Sequence, residues 1–197
     1  AFVLFSGMLK RTAVKLSKIC NDLRLLSSGP RTGINEINLP ARQPGSSIMP
    51  GKVNPVIPEA VNQVAFEIIG NDLALTIAAE GGQLQLNVME PLIAYKIFDS
   101  IRLLQRAMDM LREHCVVGIT ANEAHCRALM ENSIGLITAL NPYIGYENAT
   151  RIAKLALDSG RGVLELVREE NLLDDATLAD ILSPENMIAP RLVPLKA

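Results

Sequence analysis

The sequence is poor in the residues that most often announce chemistry. Its 197 residues include three cysteines, Cys20, Cys115 and Cys126, with no C-x-x-C pair, and two histidines, His114 and His125. Scattered, odd-numbered thiols argue against a disulfide framework and fit a reducing cytoplasm. Neither histidine has a Cys, Asp or His at metal-ligand spacing, so no metal site is expected. His114 suits the C-terminal dipole of a helix and His125 a polar helix face; neither reads as catalytic. Charged residues make up only 20% and the net charge is −2, with no basic block, which removes the electrostatic footprint of a nucleic-acid binder. No uninterrupted apolar run approaches the ~20 residues that span a bilayer. The opening run Phe2–Phe5 has no basic segment before it, and Lys10-Arg11 rather than a small-residue cleavage site after it, so it is not a secretory leader. A start in mid-helix without Met reads as a piece of a longer polypeptide.

What is present is apolar. Hydrophobic residues make up 49% of the chain and mean hydropathy is positive. That is ample surface to bury, with some left to face other chains. Its periodicity is helical nearly throughout, which predicts an all-α fold: a long-helix bundle over residues 1–116, then a small helical domain over 117–197. Residues 2–28 carry Phe5, Leu9, Leu16, Ile19, Leu23 and Leu26 at spacings of three and four, the seam of a bundle helix. Gly29-Pro30 ends it. A second helix starts between Pro55 and Glu59, with Ile57, Val61, Val64, Ile68 and Leu75 on one stripe. Further apolar positions around it mark a helix buried among neighbours. Asn71-Asp72 inside that run requires hydrogen-bonding partners. Gly81-Gly82 breaks the pattern, and residues 84–114 form the longest element, with Pro91 kinking it or marking its true start. Its stripe is Leu92, Ile93, Ile97, Ile101, Leu104, Met108 and Leu111. After Gly118 come shorter helices over 122–131, 134–140, 147–158, 162–169 and 175–182. They are separated at Asn141-Pro142, Gly145, Gly160, Asn171 and Ser183-Pro184, and a loose tail follows from Ala189.

Two stretches break the helical period. Residues 31–44 form a connector with a short extended piece around Ile34–Pro40. Gly45-Ser-Ser-Ile-Met-Pro-Gly-Lys-Val-Asn-Pro55 then gathers two glycines, two hydroxyls, one ammonium and one amide into eleven residues. Glycines let backbone N–H groups approach a ligand, Lys52 adds positive charge, and Asn54-Pro55 suits an N-cap and first turn. A helix N-terminus beside a lysine favours a small carboxylate or phosphate. The same residue types also make plain connecting loops. A nucleotide P-loop does not fit: Gly45 and Gly51 are one residue too far apart, and Val53 stands where Ser or Thr would hold magnesium.

The segment Gly45–Pro55 resembles the signature of the fumarase/aspartase superfamily. The resemblance runs from Ser17–Leu26 through to Pro184–Met187. Within that family, Gly82–Pro91 and Asn141–Gly145 are more similar to the ammonia-lyase branch than to the hydratase branch. It implies a homotetramer built on a core of long helices, with each active site shared between three subunits. It also implies two further active-site segments upstream of Ala1, so the chain alone is expected to be inactive. The implied reaction is reversible deamination of L-aspartate to fumarate and ammonia. The hydratase reaction on fumarate and L-malate, and a non-catalytic oligomerisation module, are the alternatives. By resemblance Ser46 is the general base, and Ser47, Lys52, Val53 and Asn54 bind the dicarboxylate, with Lys52 and Asn54 on one carboxylate and Ser47 on the other. Glu59 orients an upstream histidine. No cofactor or catalytic metal is implied.

Overall fold

The computed structural model describes residues 1–43, Gly45, Met49 and residues 53–189. It is overwhelmingly helical and divides into two compact units, Ala1–Asn122 and Glu123–Ala197.

The first unit is built on three helices of 25 residues each, α1 (Phe2–Leu26), α2 (Val56–Glu80) and α3 (Glu90–His114). At about 1.5 Å per residue each rod is about 37 Å long. Pro91 occupies the first turn of α3, where its missing N–H costs nothing. It therefore marks the start of the helix and does not kink it, and residues 83–89 are an irregular lead-in. α1 ends at Leu26, two residues short of the expected limit.

Cross-helix contacts pair Ser6 with Asp72 and Ser17 with Asn62, and likewise Asn71 with Ser100. The three rods thus run antiparallel, up-down-up. α2 lies between the other two. Leu9, Leu16 and Leu23 of the expected α1 seam pack against the core, but the most buried positions are not the expected ones. The buried residues of α1 are Ser6, Ala13, Ser17 and Cys20, whereas Phe5 and Ile19 are 44% and 49% exposed. Small side chains win the face that meets α2 because they let two helices approach closely; Ala13 packs with Ala65, Ile68 and Leu104. Phe66, Leu73 and Ile77 on α2 and Tyr95 and Phe98 on α3 are exposed as well. A second apolar surface is therefore left uncovered by this chain.

The buried polar pair Asn71-Asp72 finds its partners. Asp72 accepts from Ser6 Oγ at 2.8 Å and from Lys10 Nζ at 2.5 Å. Burial pushes the Asp72 carboxyl up, but the hydrogen bonds from Lys10 and Ser6 and the Lys10 charge outweigh it and hold the group below the usual carboxylate value. Asn71 donates to Ser100 and accepts from Lys96 Nζ at 2.6 Å.

The connector after α1 carries β1 (Ile37–Asn38), which pairs antiparallel with β2 (Thr120–Ala121). The sequence marked the extended piece but not its partner, which lies beyond α3 and a 3-10 turn over Val116–Gly118. This pairing carries the first unit on to Asn122, past the expected limit at residue 116.

The second unit holds α4 (Glu123–Glu131), α5 (Leu136–Ile144), α6 (Tyr146–Ser159), α7 (Val163–Glu169), α8 (Asp175–Ile181) and α9 (Pro184–Ile188). Its core gathers Leu140, Ile152, Leu166, Val167 and Leu178, all 2% exposed or less. Pro142 lies inside α5 instead of ending it; in the last turn it costs the helix a single i→i−4 bond. Pro184, read as a separator, opens α9 behind Ser183, the first-turn position proline favours. Gly160 ends α6 in the left-handed conformation at φ +69°. Among the described residues, no helix is long and apolar enough to cross a membrane.

Candidate active site

Of the residues expected at the site, Ser46, Ser47 and Lys52 lie outside the described residues. Val53 and Asn54, with Gly45 on the other side, are the described legs of the signature segment. The N-terminal leg follows the connector, and the C-terminal leg leads directly into α2.

Asn54 does not cap α2. Pro55 holds the N-cap position and makes no side-chain cap, and the helix begins at Val56, whose N–H bonds the Asn54 carbonyl at 2.9 Å. The Asn54 side chain turns to the opposite leg instead, donating from Nδ2 to the Gly45 carbonyl at 2.9 Å. An amide nitrogen carries two N–H groups, and among the described residues one of those of Asn54 is used in this bond. Glu59 lies in the first turn of α2.

Beside these legs is a cavity of about 320 Å³. Val53, Asn54 and Pro55 form one wall, and Asn35, Asn38, Leu39 and Pro40 another. Among the described lining residues the polar side chains are the Asn35, Asn38 and Asn54 amides and the Ser27 hydroxyl. Asn35 and Asn38 were missed by sequence reading. The signal was there in the loss of helical period after Arg31, but amides in a connector have many uses. Asn35 adopts a left-handed backbone at φ +52°, which asparagine tolerates better than most residues.

The connector wall is held from behind by the end of α3. Arg42 Nε donates to the His114 carbonyl at 2.8 Å, and a second Arg42 nitrogen reaches the Glu113 carbonyl at 3.3 Å, so a cation sits at the negative end of the helix dipole. Leu39 packs into the cluster of Cys20, Val61, Ala107, Leu111 and Cys115, together with Ile57. Burial pushes the Cys20 thiol up to about 11 and also raises that of Cys115, as expected of inert core thiols. Among the described residues, no group of three or more His, Cys, Asp or Glu is placed to hold a metal ion.

Comparison with known proteins agrees with this architecture. The family described as "Lyase" matches residues 1–70, and that described as "Fumarase C C-terminus" matches residues 136–189. The chain is 92% identical over all 197 of its residues to an aspartate ammonia-lyase of Pseudomonas canavaninivorans, covering 42% of that protein. It is 57% identical over 190 residues to the aspartate ammonia-lyase of Escherichia coli K12, covering 96% of this chain and 40% of that one. Among solved structures, a fumarate lyase:delta crystallin from Brucella melitensis bound to cobalt superimposes with a TM-score of 0.89 and 62% identity, over 96% of this chain and 41% of that one. A class II fumarase from Schistosoma mansoni follows at 0.85 and 38%, over 94% and 39%. The chain spans about two fifths of the length of these relatives. Matched at both ends to this family and throughout to its ammonia-lyases, the chain belongs to the fumarase/aspartase superfamily, as a C-terminal portion.

Proposed function

We propose that the full polypeptide is an aspartate ammonia-lyase that converts L-aspartate reversibly to fumarate and ammonia through a carbanion. The observation that carries this reading is identity of 89–92% to aspartate ammonia-lyases along the whole of the chain, signature segment included. The fumarase relative stands at 38%, which favours deamination over hydration.

In this reading Ser46, as alkoxide, takes the proton from the carbon next to one substrate carboxylate. The pair of electrons left behind spreads into that carboxylate, then forms the double bond as ammonia departs from the neighbouring carbon. A serine hydroxyl is far too weak an acid to serve unaided, so donors must hold both the alkoxide and the doubly charged carboxylate; each such donor is worth about 3–4 kcal/mol. Lys52 and Asn54 hold one carboxylate and Ser47 the other, with Val53 beside them. The place of Asn54 on the cavity wall supports its part. The uncovered apolar faces of α1, α2 and α3 support a homotetramer whose subunits share each active site. Absence of a disulfide among the cysteines is consistent with the cytoplasm.

The test is to give the full-length polypeptide L-aspartate and follow fumarate absorbance, with L-malate in parallel. Fumarate from L-aspartate is the expected result. Fumarate from L-malate alone would make the protein a hydratase, and none from either would leave it an oligomerisation module.

A further inference from the structure

Asn122 ends the first unit, 68 residues beyond Asn54. Its side chain is half-buried and bonds the connector at several points. Nδ2 donates to the Asn35 carbonyl at 2.8 Å, to Asn35 Oδ1 at 3.2 Å and to Asn38 Oδ1 at 3.3 Å. Oδ1 accepts from Asn38 Nδ2 at 2.6 Å, and the backbone N–H bonds the Glu36 carbonyl at 2.9 Å. Asn38 Nδ2 also reaches Thr120 Oγ1 at 3.2 Å. Three connector residues are thus held by one side chain and its backbone.

Those residues form a wall of the candidate site. Asn35 and Asn38 line the cavity opposite Val53 and Asn54. Beyond them, Pro40 presses on Gly118, where an added Cβ would lie 2.5 Å from Pro40 Cγ; only glycine permits that approach. Arg42 then grips the end of α3, three residues before Gly45. The connector is thus tied both to the end of α1, where the Asn35 and Glu36 N–H groups bond the Ser28 and Leu26 carbonyls at 2.7 and 2.9 Å, and to residues 113–122. On the second side, Asn122 adjoins the two-residue ladder and adds side-chain bonds to its register. A two-residue strand pair is too short to specify its own register.

We propose that Asn122 is a positioning residue of this site. By clipping Asn35, Glu36 and Asn38 it sets the wall against which Asn54 and the Gly45 leg are placed. It touches neither substrate nor base and acts through the connector. The consequence for rate rests on the function proposed above, since small misplacement of reacting groups is costly even from a distance.

The test compares the full-length protein with its Asn122→Ala variant, with Asn38→Ala as a milder second variant that leaves the Asn122–Asn35 bonds in place. Amide hydrogen exchange is read over residues 35–43 and, as control, over α2. Turnover is read with L-aspartate and with L-aspartate deuterated at the carbon that loses its proton. Expected are exchange at least tenfold faster over 35–43 and unchanged over α2, kcat lower by tenfold or more, and a larger isotope effect than in the parent. Unchanged exchange over 35–43 would overturn the clip, whatever the activity. A lower kcat with unchanged KM and isotope effect would mean only fewer folded molecules, and would overturn the positioning role. A parent protein that makes no fumarate from L-aspartate would defeat the proposed function instead, with the exchange measurement still deciding for or against the clip.

Discussion

Asn54 and Gly45, nine positions apart, are joined by one hydrogen bond of 2.9 Å from a side-chain amide to a backbone carbonyl. That bond closes the base of the signature segment, so the residue assigned to bind a carboxylate also fixes the residue just before the proposed base. Asn54→Ala is expected to lower kcat/KM about 10- to 100-fold in the full-length enzyme, roughly 1.4–2.7 kcal/mol. The loss should fall on kcat as well as KM. A residue that only held substrate uniformly would raise KM alone, and steady-state kinetics on L-aspartate separates the two.

Ser46→Ala is expected to cut turnover roughly 10³-fold or more while leaving assembly intact. Turnover near the parent's would rule this serine out as the base. In parallel, Lys52→Ala should chiefly raise KM, and an unchanged KM would remove it from the carboxylate site.

Asp72 lies between Lys10 and Ser6 in the α1–α2 interface. Asp72→Ala is expected to cost about 1–3 kcal/mol. That is below the 3–5 kcal/mol typical of a fully buried pair, because the Lys10 side chain is 45% exposed and partly screened. The folded carboxyl titrates below its unfolded value of about 3.9. Its contribution is therefore complete above that value and disappears as pH falls through it towards the lower, folded one. Urea midpoints of parent and variant should differ at pH 6 and converge as the solution is acidified towards pH 3.

Cys20 gives the opposite slope. Its thiol is raised to about 11 by burial, with the neighbouring Cys115 thiol adding to the rise and Arg24 opposing it. The unfolded thiol ionises near 8.5, so this contribution is complete below that value and is lost as pH climbs towards 11. Thermal midpoints followed from pH 7 to 10.5 should fall more steeply in the parent than in Cys20→Ala.

The long rods were legible because each presents an apolar stripe long enough to set its own period, and because Pro91 has few places it can occupy in a helix. Faces were less legible. Phe5 and Ile19 outweigh Ala13 and Ser17 on any hydropathy count, yet the small residues took the interface because close approach of α2 decides it. β1 was half legible: a loss of helical period marks Ile37–Asn38, but its partner is set by how α3 ends, which no local pattern encodes. Asn54 misled for the converse reason. Asn before Pro at a helix start is a sound local expectation for a cap, and it lost to a long-range acceptor, the Gly45 carbonyl. The chemical roles within Gly45–Pro55 came from family resemblance; the residues themselves spoke only for an anion.

Asn38 and Asn122 meet across 84 positions of chain. Bringing such distant points together carries a loop-closure penalty that short-range helix formation does not share. The seat for Gly45 and Asn54 is consequently a late product of folding, complete only once α2 and α3 have formed and the strand after them has returned. During synthesis the signature segment leaves the ribosome well before residues 113–122, so a chain halted short of Asn122 would carry the signature without that part of the connector's support.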